Sequence, residues 1–366
     1  MLKCDVLIIG GGATGTSILR DLSMRGIKTC LIERNVISSG ATSHSHQNLV
    51  SGMRYVVKDP KVARECAQEN EILSKIAPNI ISSIKNYFVG FKSDKYVDLA
   101  LKSAETLGVK FKLVKPAIVF KEIPALNRDI DIIVETNDRN IDAREFCRLN
   151  CESALKRHAT LLEHTVTKSI ERKPRGYLIY TNRALIRADK VVNATGTWAN
   201  EIANKVGVNL PLLYSQGTII ILKALSSRGL QRLSQPADAA AYIVHKGLAW
   251  LGTTSTTINT PDEASPEPWA DEYLKENFSI ILPDIVHQHT LGAFVGVRPL
   301  LKSNETQDGR KQSRDFRIIE KPTGIFHIIG GKLTIARLMA EKVTDRICEE
   351  MGINTKCITA KLPLGE

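Results

Sequence analysis

Apolar residues run unbroken from Val6 to Ile9, inside a stretch from Leu2 to Ile9 that stops at Gly10, a pattern that predicts a buried strand. Ala13 to Arg25, with small residues near its start, predicts a helix, and Lys28 to Glu33 predicts a second strand. Asp59 to Ala77 is amphipathic, is opened by Pro60 and is followed by Pro78, which together predict a helix. Asp142 to Lys156 predicts another, capped by Asp142. Strands are predicted at Leu161 to Lys168, Tyr177 to Thr181 and Lys190 to Ala194, the last running into Thr195-Gly196. Tyr214 to Ile221 and Leu248 to Thr253 are also strand-like, with His245-Lys246-Gly247 as a turn between them. Phe326 to Ile329 predicts a strand ending in Gly330-Gly331, and Leu333 to Glu350 a long helix. Asn259 to Trp269 carries three prolines among acidic residues and predicts an exposed loop.

Strand, glycine turn and helix thus occur at both ends of the chain. A nucleotide-binding lobe assembled from both termini, with a sheet-rich lobe inserted, accounts for this order economically. The expected architecture is α/β. Residues 1–80, 142–208 and 295–366 form a Rossmann-like domain, and residues 81–141 and 209–294 form the substrate domain.

Composition narrows the class. The apolar runs are far shorter than the roughly 20 residues that span a bilayer, and Met1 to Asp5 does not have the form of a secretory signal. Seven scattered cysteines without a Cys-x-x-Cys pair point to a reduced, cytoplasmic setting. Cys147 and Cys151, four apart on the predicted helix, read as ordinary helix residues, and no metal site is expected. Fifty Lys and Arg against 39 Asp and Glu give a formal charge of +11, which attracts anions. The cations form no run and no aromatic-interleaved patch, so nucleic acid is not the expected partner.

Gly10-Gly11-Gly12-Ala13-Thr14-Gly15 satisfies G-x-G-x-x-G between a predicted strand and a predicted helix. Glycines there allow a tight turn and close approach of backbone to pyrophosphate, and the helix start offers N–H groups and a positive dipole end. Glu33, ending the second strand, is placed to accept hydrogen bonds from an adenosine ribose and favours a free 2′-hydroxyl. The polar run from Ser38 to Asn48 and the strand ending in Asn193-Ala194-Thr195-Gly196 suit an extended flavin cofactor and favour FAD over NAD.

Eight blocks then carry a resemblance: Asp5-Val-Leu-Ile-Ile-Gly-Gly-Gly-Ala-Thr-Gly15, Ser39-Gly-Ala-Thr-Ser43, Ser51-Gly-Met-Arg-Tyr55, Asn193-Ala-Thr-Gly-Thr-Trp198, Leu251-Gly-Thr-Thr254, Gly296-Val-Arg-Pro-Leu300, Ser313-Arg-Asp315 and Gly330-Gly-Lys-Leu-Thr334. From Asp5 to about Leu364 the chain resembles the FAD-dependent glycerol-3-phosphate dehydrogenases, within the wider group that includes D-amino-acid oxidase and glycine oxidase. It is most similar to the catalytic A chains of the anaerobic enzymes. The resemblance implies an FAD-binding domain of glutathione-reductase type and oxidation of sn-glycerol 3-phosphate to dihydroxyacetone phosphate. It also implies a peripheral position on the cytoplasmic face of the membrane, with electrons passing to quinone or carrier subunits. The chain differs from those relatives in carrying no cysteine-rich extension before Glu366 and in having Val50 where the family has histidine before the Ser-Gly-x-Arg-Tyr block.

By the same resemblance, Arg54, Tyr55 and Arg314 hold the phosphate, a task suited to the planar donor fork of arginine. Arg298 and Lys332 stand near the reacting oxygen and stabilise alkoxide charge. Cofactor contacts are implied for Gly10, Gly12, Ala13, Thr14, Gly15, Glu33, Arg34, Thr42, Ser43, His46, Val166, Ala194, Thr195, Gly196, Trp198, Gly331, Lys332, Leu333 and Thr334. The residues alone leave three matters open. Arg54 and Arg314 are also compatible with surface positions, and Arg298 with a buried ion pair. The general base stays unassigned among His44, His46 and His245. Two rival functions remain as well: an amino-acid or 2-hydroxy-acid oxidase of the same fold, and a non-catalytic flavin-binding module for electron transfer.

Overall fold

The computed structural model describes residues 1–234, 241–302 and 308–366. Its strands form two sheets. In the first, Leu2–Ile9 lies between Leu185–Asn193 and Thr29–Ile32, parallel to both, with Val6 beside Lys190 on one side and Thr29 on the other. Ile325–Gly330 and Thr160–Leu162 extend this parallel core, and antiparallel Phe316–Glu320 closes one edge. The run from Val6 to Ile9 is continuously apolar because both faces are covered. Val6 and Ile8 pack against Ile18 and Leu22 of the helix Ala13–Met24 and against Val343 and Ile347 of the helix Ala336–Glu350. Leu7 and Ile9 face the opposite side, where Ile179 of the strand Tyr177–Thr181 and Ile202 of the helix Ala199–Asn204 cover them. Two long helices on one face, with an antiparallel hairpin and a short helix on the other, give the mixed α/β domain expected.

Several predicted elements shift. The strand expected over Leu161 to Lys168 is two, Thr160–Leu162 and Thr167–Arg172. Between them His164 adopts φ 54°, and Thr165 N–H donates to the Glu33 carbonyl at 2.7 Å, which turns the chain. The strand expected from Lys190 starts earlier, at Leu185, because Leu185 to Ala188 pair with Tyr177 to Tyr180. The C-terminal helix opens with a 3-10 turn, Leu333–Ile335, before its α-helical body. The helix Pro60–Ile76 follows Asp59 as expected. Asp142 caps the helix Ala143–Leu155 by accepting from Glu145 N–H at 2.9 Å.

The second sheet is built mainly from Ile81–Gly90, Ile132–Ile141, Leu212–Lys223, Ala241–His245, Leu248–Gly252 and Gly292–Leu301. One face packs on Leu274 and Phe278 of the helix Ala270–Ser279, and the other on Val97, Ala100 and Ala104 of the helix Lys95–Leu107. The expected boundary at residue 295 cuts through a strand. Gly292–Leu301 pairs along its length with Leu212–Lys223, from Ile221 beside Gly292 to Leu212 beside Leu301, and so belongs to the second sheet. Asn48–Leu49, expected in the first domain, also joins the second sheet, beside Asn140 and Arg139. The second sheet packs closely on the polar loop that follows Thr29–Ile32: a Cβ on Gly296 would lie 2.0 Å from the His44 carbonyl oxygen, so only glycine fits there.

Candidate active site

The phosphate turn is shaped by contacts that exclude side chains. A Cβ on Gly10, whose φ is +109°, would lie 2.7 Å from the Ala194 carbonyl oxygen, and one on Gly15 would lie 1.9 Å from the Gly10 carbonyl oxygen. Gly12 caps the helix Ala13–Met24 with no side-chain capping bond. Glu33 braces the turn, its carboxylate accepting from Gly11 N–H at 2.7 Å and from Asn35 N–H at 2.9 Å. Thr42 reaches in from the following loop, where its hydroxyl accepts from Ala13 N–H at 3.0 Å.

This turn forms one end of a cavity of about 930 Å³, near the upper end of the range of about 300–1,000 Å³ usual for ligand pockets. Trp198 lines it with Arg34 stacked 3.9 Å from its ring centroid, and the Trp198 indole N–H donates to Asp262 Oδ1 at 3.1 Å. The cavity runs from the glycine turn of the first sheet to side chains of the second. Its glycine cradle, helix N-terminus and volume fit a dinucleotide of FAD size.

The cavity wall also gathers cations from separate segments. Arg54 sits on the 3-10 turn Met53–Tyr55, entered through Gly52 at φ 97°, where a Cβ would lie 2.3 Å from the Ala63 carbonyl oxygen. Its Nη2 donates to Gln231 Oε1 at 2.7 Å. Lys332 Nζ lies 3.2 Å from the centroid of the Tyr55 ring, a cation–π contact, and this buried ammonium has no hydrogen-bond partner among the described residues. Arg298 donates to the carbonyl oxygens of Thr254 at 2.8 Å and Gln216 at 3.1 Å and to the Ser215 hydroxyl at 3.1 Å. These bonds hold the guanidinium at the cavity wall by neutral groups. Arg314 Nη1 donates to the Gly309 carbonyl at 3.2 Å, and its backbone N–H is fixed by Asp59 Oδ2 at 2.9 Å. Eight Lys and Arg against four carboxylates line the whole cavity, which therefore favours an anionic occupant.

Of the histidines, His44 and His46 line the cavity and His245 stands behind them, its Nε2 3.0 Å from the His46 carbonyl oxygen. Burial, reinforced by Arg54, His245 and Arg298, pushes His46 down to about 3, so its imidazole is neutral, and its buried Nε2 has no hydrogen-bond partner among the described residues. Val50, where the resemblance expected histidine, is buried in the first core, and its N–H donates to Thr334 Oγ1 at 3.1 Å.

Arg54, Tyr55, Arg298, Arg314 and Lys332 all line this one cavity, as do Gly10, Gly12, Ala13, Thr14, Glu33, Arg34, Thr42, His46, Val166, Ala194, Thr195, Gly196, Trp198, Gly331 and Leu333. Three expected contacts are not on its wall. Gly15 serves helix packing against Gly10, Ser43 hydrogen-bonds Ser38 and Arg144, and Thr334 is buried against Val50. Motif reading missed Lys58, Arg310 and Lys311 on the wall. It also missed Glu267, in the loop expected to be exposed. That carboxylate turns inward to accept from the Thr218 and Thr254 hydroxyls, each at 2.5 Å, and so braces the backbone that holds Arg298. No motif marks these residues, because their places depend on which loops meet. Cys147 and Cys151 are buried in different core clusters, and burial pushes both thiols up to about 12.

A parallel sheet with a glycine phosphate turn, opening onto a cavity of flavin-dinucleotide size with cations on its wall, defines a flavin-dependent oxidoreductase. The chain belongs to the DAO family of FAD-dependent oxidoreductases, whose model matches residues 5–346. The A chain of the anaerobic glycerol-3-phosphate dehydrogenase of Escherichia coli K12 is 32% identical over 98% of this chain and 70% of that relative. The corresponding A1 chain of the Haloferax volcanii enzyme is also 32% identical, over 98% of this chain and 66% of that relative. The chain thus spans about two thirds of the length of these relatives. The glycerol-3-phosphate dehydrogenase of Bacillus halodurans, solved with FAD, superposes with a TM-score of 0.76 at 22% identity, over 99% of this chain and 68% of that one. No helix among the described residues is long and apolar enough to cross a membrane.

Proposed function

We propose that the chain is an FAD-dependent glycerol-3-phosphate dehydrogenase that oxidises C2 of sn-glycerol 3-phosphate to give dihydroxyacetone phosphate. The observation that carries this reading is that Arg54, Arg298, Arg314 and Lys332, from four separate segments, all line one cavity, with Arg54 and Arg298 both near His46 and Lys332 on the Tyr55 ring beside Arg54. A carboxylate substrate needs fewer cations than a phosphate dianion with an alkoxide developing beside it. The family's cofactor supplies the hydride acceptor when bound, held by the Gly10 to Gly15 turn, Glu33, Thr42 and the 194–198 segment.

The remaining work belongs to the side chains. Arg54 and Arg314 grip the phosphate, whose oxygens match the guanidinium fork. Lys332 and Arg298 stabilise negative charge on the C2 oxygen. Neutral His46, whose ring Nε2 meets no partner among the described residues, accepts a hydrogen bond from the C2 hydroxyl and orients it, and the hydroxyl proton is released to water. A carrier protein or quinone would serve as the electron acceptor, and the net positive charge favours docking on an anionic membrane face.

Anaerobic mixing of flavin-loaded protein with sn-glycerol 3-phosphate tests the reading through flavin absorbance. Rapid bleaching is expected, competitively slowed by inorganic phosphate. A flavin that bleaches with an amino acid or 2-hydroxy acid and stays oxidised with this substrate would overturn the substrate assignment.

A further inference from the structure

Asp138 on the strand Ile132–Ile141 is fully buried, and among the described residues its carboxylate meets no cation. An isolated buried carboxylate is costly unless hydrogen bonds satisfy it. Here five donors do so. Oδ1 accepts from Ser51 N–H at 2.7 Å, the Ser51 hydroxyl at 2.5 Å and the Thr136 hydroxyl at 3.2 Å. Oδ2 accepts from Gln231 Nε2 at 2.9 Å and Asn48 Nδ2 at 3.1 Å. Gln231 is itself buried, and its Oε1 accepts from Arg54 Nη2 at 2.7 Å.

The chemistry of this chain of bonds has one direction. An ionised carboxylate only accepts, so it takes the NH₂ end of Gln231, and the carbonyl end must then face Arg54, which only donates. The same carboxylate ties down Ser51, one residue before Gly52 and the turn that carries Arg54. Asp138 therefore fixes both the backbone entry and the side-chain aim of one arginine.

We infer that Asp138 and Gln231 are positioning residues that pre-set the Arg54 guanidinium for an anionic substrate group. The inference rests on the proposed phosphate role of Arg54. Gln231 itself neutralises no charge on Arg54, whereas a carboxylate in its place would cancel one. Holding the fork before binding removes ordering cost from the binding step.

The test compares flavin-loaded wild type with Gln231→Met, Asp138→Asn and the double variant. Gln231→Met keeps side-chain length and removes both hydrogen bonds. Its KM for sn-glycerol 3-phosphate is expected to rise about tenfold, equivalent to ~1.4 kcal/mol, with kcat and flavin content close to wild type. Asp138→Asn lets the Gln231 amide turn either way and should raise KM less, and the double variant should be no worse than Gln231→Met. Inorganic phosphate binding, read from its perturbation of the flavin spectrum, should weaken in parallel. That readout needs no turnover, so it tests the aim of Arg54 even if sn-glycerol 3-phosphate fails to reduce the wild type, an outcome that would defeat the functional reading instead. Wild-type KM and phosphate binding in folded Gln231→Met would overturn the inference, as would additive losses in the double variant. If Gln231→Met does not accumulate as folded protein, Asp138→Asn carries the test on the same two readouts.

Discussion

Arg314 joins the site through a short segment whose backbone is pinned by Asp59, so its side chain enters the cavity already oriented. A charge-assisted hydrogen bond contributes about 1.5–3 kcal/mol, so Arg314→Ala should raise KM for sn-glycerol 3-phosphate roughly ten- to hundredfold. Steady-state kinetics with a fixed electron acceptor measures this, and an unchanged KM would remove Arg314 from the phosphate site. The histidines give a second expectation. His327 is fully buried, its Nδ1 accepting from Asn193 Nδ2 at 2.9 Å and its Nε2–H donating to the Lys321 carbonyl at 2.7 Å. Burial lowers the pKa of His327, as it does those of His46 and His245. A histidine whose folded pKa lies below the ordinary value contributes stability that is fully present above that value. The contribution is lost as pH falls, because the unfolded chain takes up the proton first. The melting temperature should therefore drop from pH 7 to pH 5, with up to about 1.4 kcal/mol per pH unit for each such group. His327→Gln should flatten the slope, and a variant as acid-sensitive as wild type would show that His327 is not a source of it.

The glycine turn and the helix behind it act as one element, because the turn can close only if Gly15 lacks a side chain. Gly15→Ala would place a methyl 1.9 Å from the Gly10 carbonyl oxygen, a backbone contact that only opening the turn relieves. Purified Gly15→Ala should carry at least about tenfold less flavin per protein, the equivalent of ~1.4 kcal/mol or more in cofactor binding. Full flavin occupancy would mean that the turn does not need this packing. The loop between Asn259 and Trp269 works differently. Asp262 accepts from Trp198 at the cofactor end, while Glu267 holds Thr218 and Thr254 near Arg298. The loop is largely exposed, as expected, yet two of its carboxylates reach back to Trp198 on the cavity wall and to the threonines beside Arg298.

At the scale of the whole molecule, a formal charge of +11 and a cavity rich in cations place a positive field around the site. Anionic substrates are steered by such a field, and salt screens it over a Debye length of about 10 Å at 0.1 M. The ratio kcat/KM for sn-glycerol 3-phosphate should fall several-fold between roughly 20 and 200 mM salt, while kcat at saturation changes little. Salt-independent kcat/KM in stopped-flow reduction would confine the role of charge to contacts inside the cavity. The two sheets share the site: the first supplies the phosphate turn and Lys332, and the second supplies Arg298 from its strand Gly292–Leu301 and Gln231 behind Arg54.

The sequence by itself determined the elements whose cause is local. The strand Leu2–Ile9 was legible because continuous burial leaves an unbroken apolar run, and the helix Ala143–Leu155 because Asp142 caps its own neighbours. The glycine turn was legible because its spacing follows from backbone geometry within six residues. Arg54, Arg298, Arg314 and Lys332 stood out only through blocks shared with related chains. Nothing in their spacing, across 279 positions of sequence from 54 to 332, says that they meet. The tertiary structure decided that meeting. It also decided the placement of Gly292–Leu301 in the second sheet, the inward turn of Glu267, and the chain of bonds from Asp138 through Gln231 to Arg54. Each of these joins groups far apart in sequence, and the energies that select them, strand pairing across the sheet and the hydrogen bonding of buried carboxylates by distant donors, have no counterpart in any local pattern.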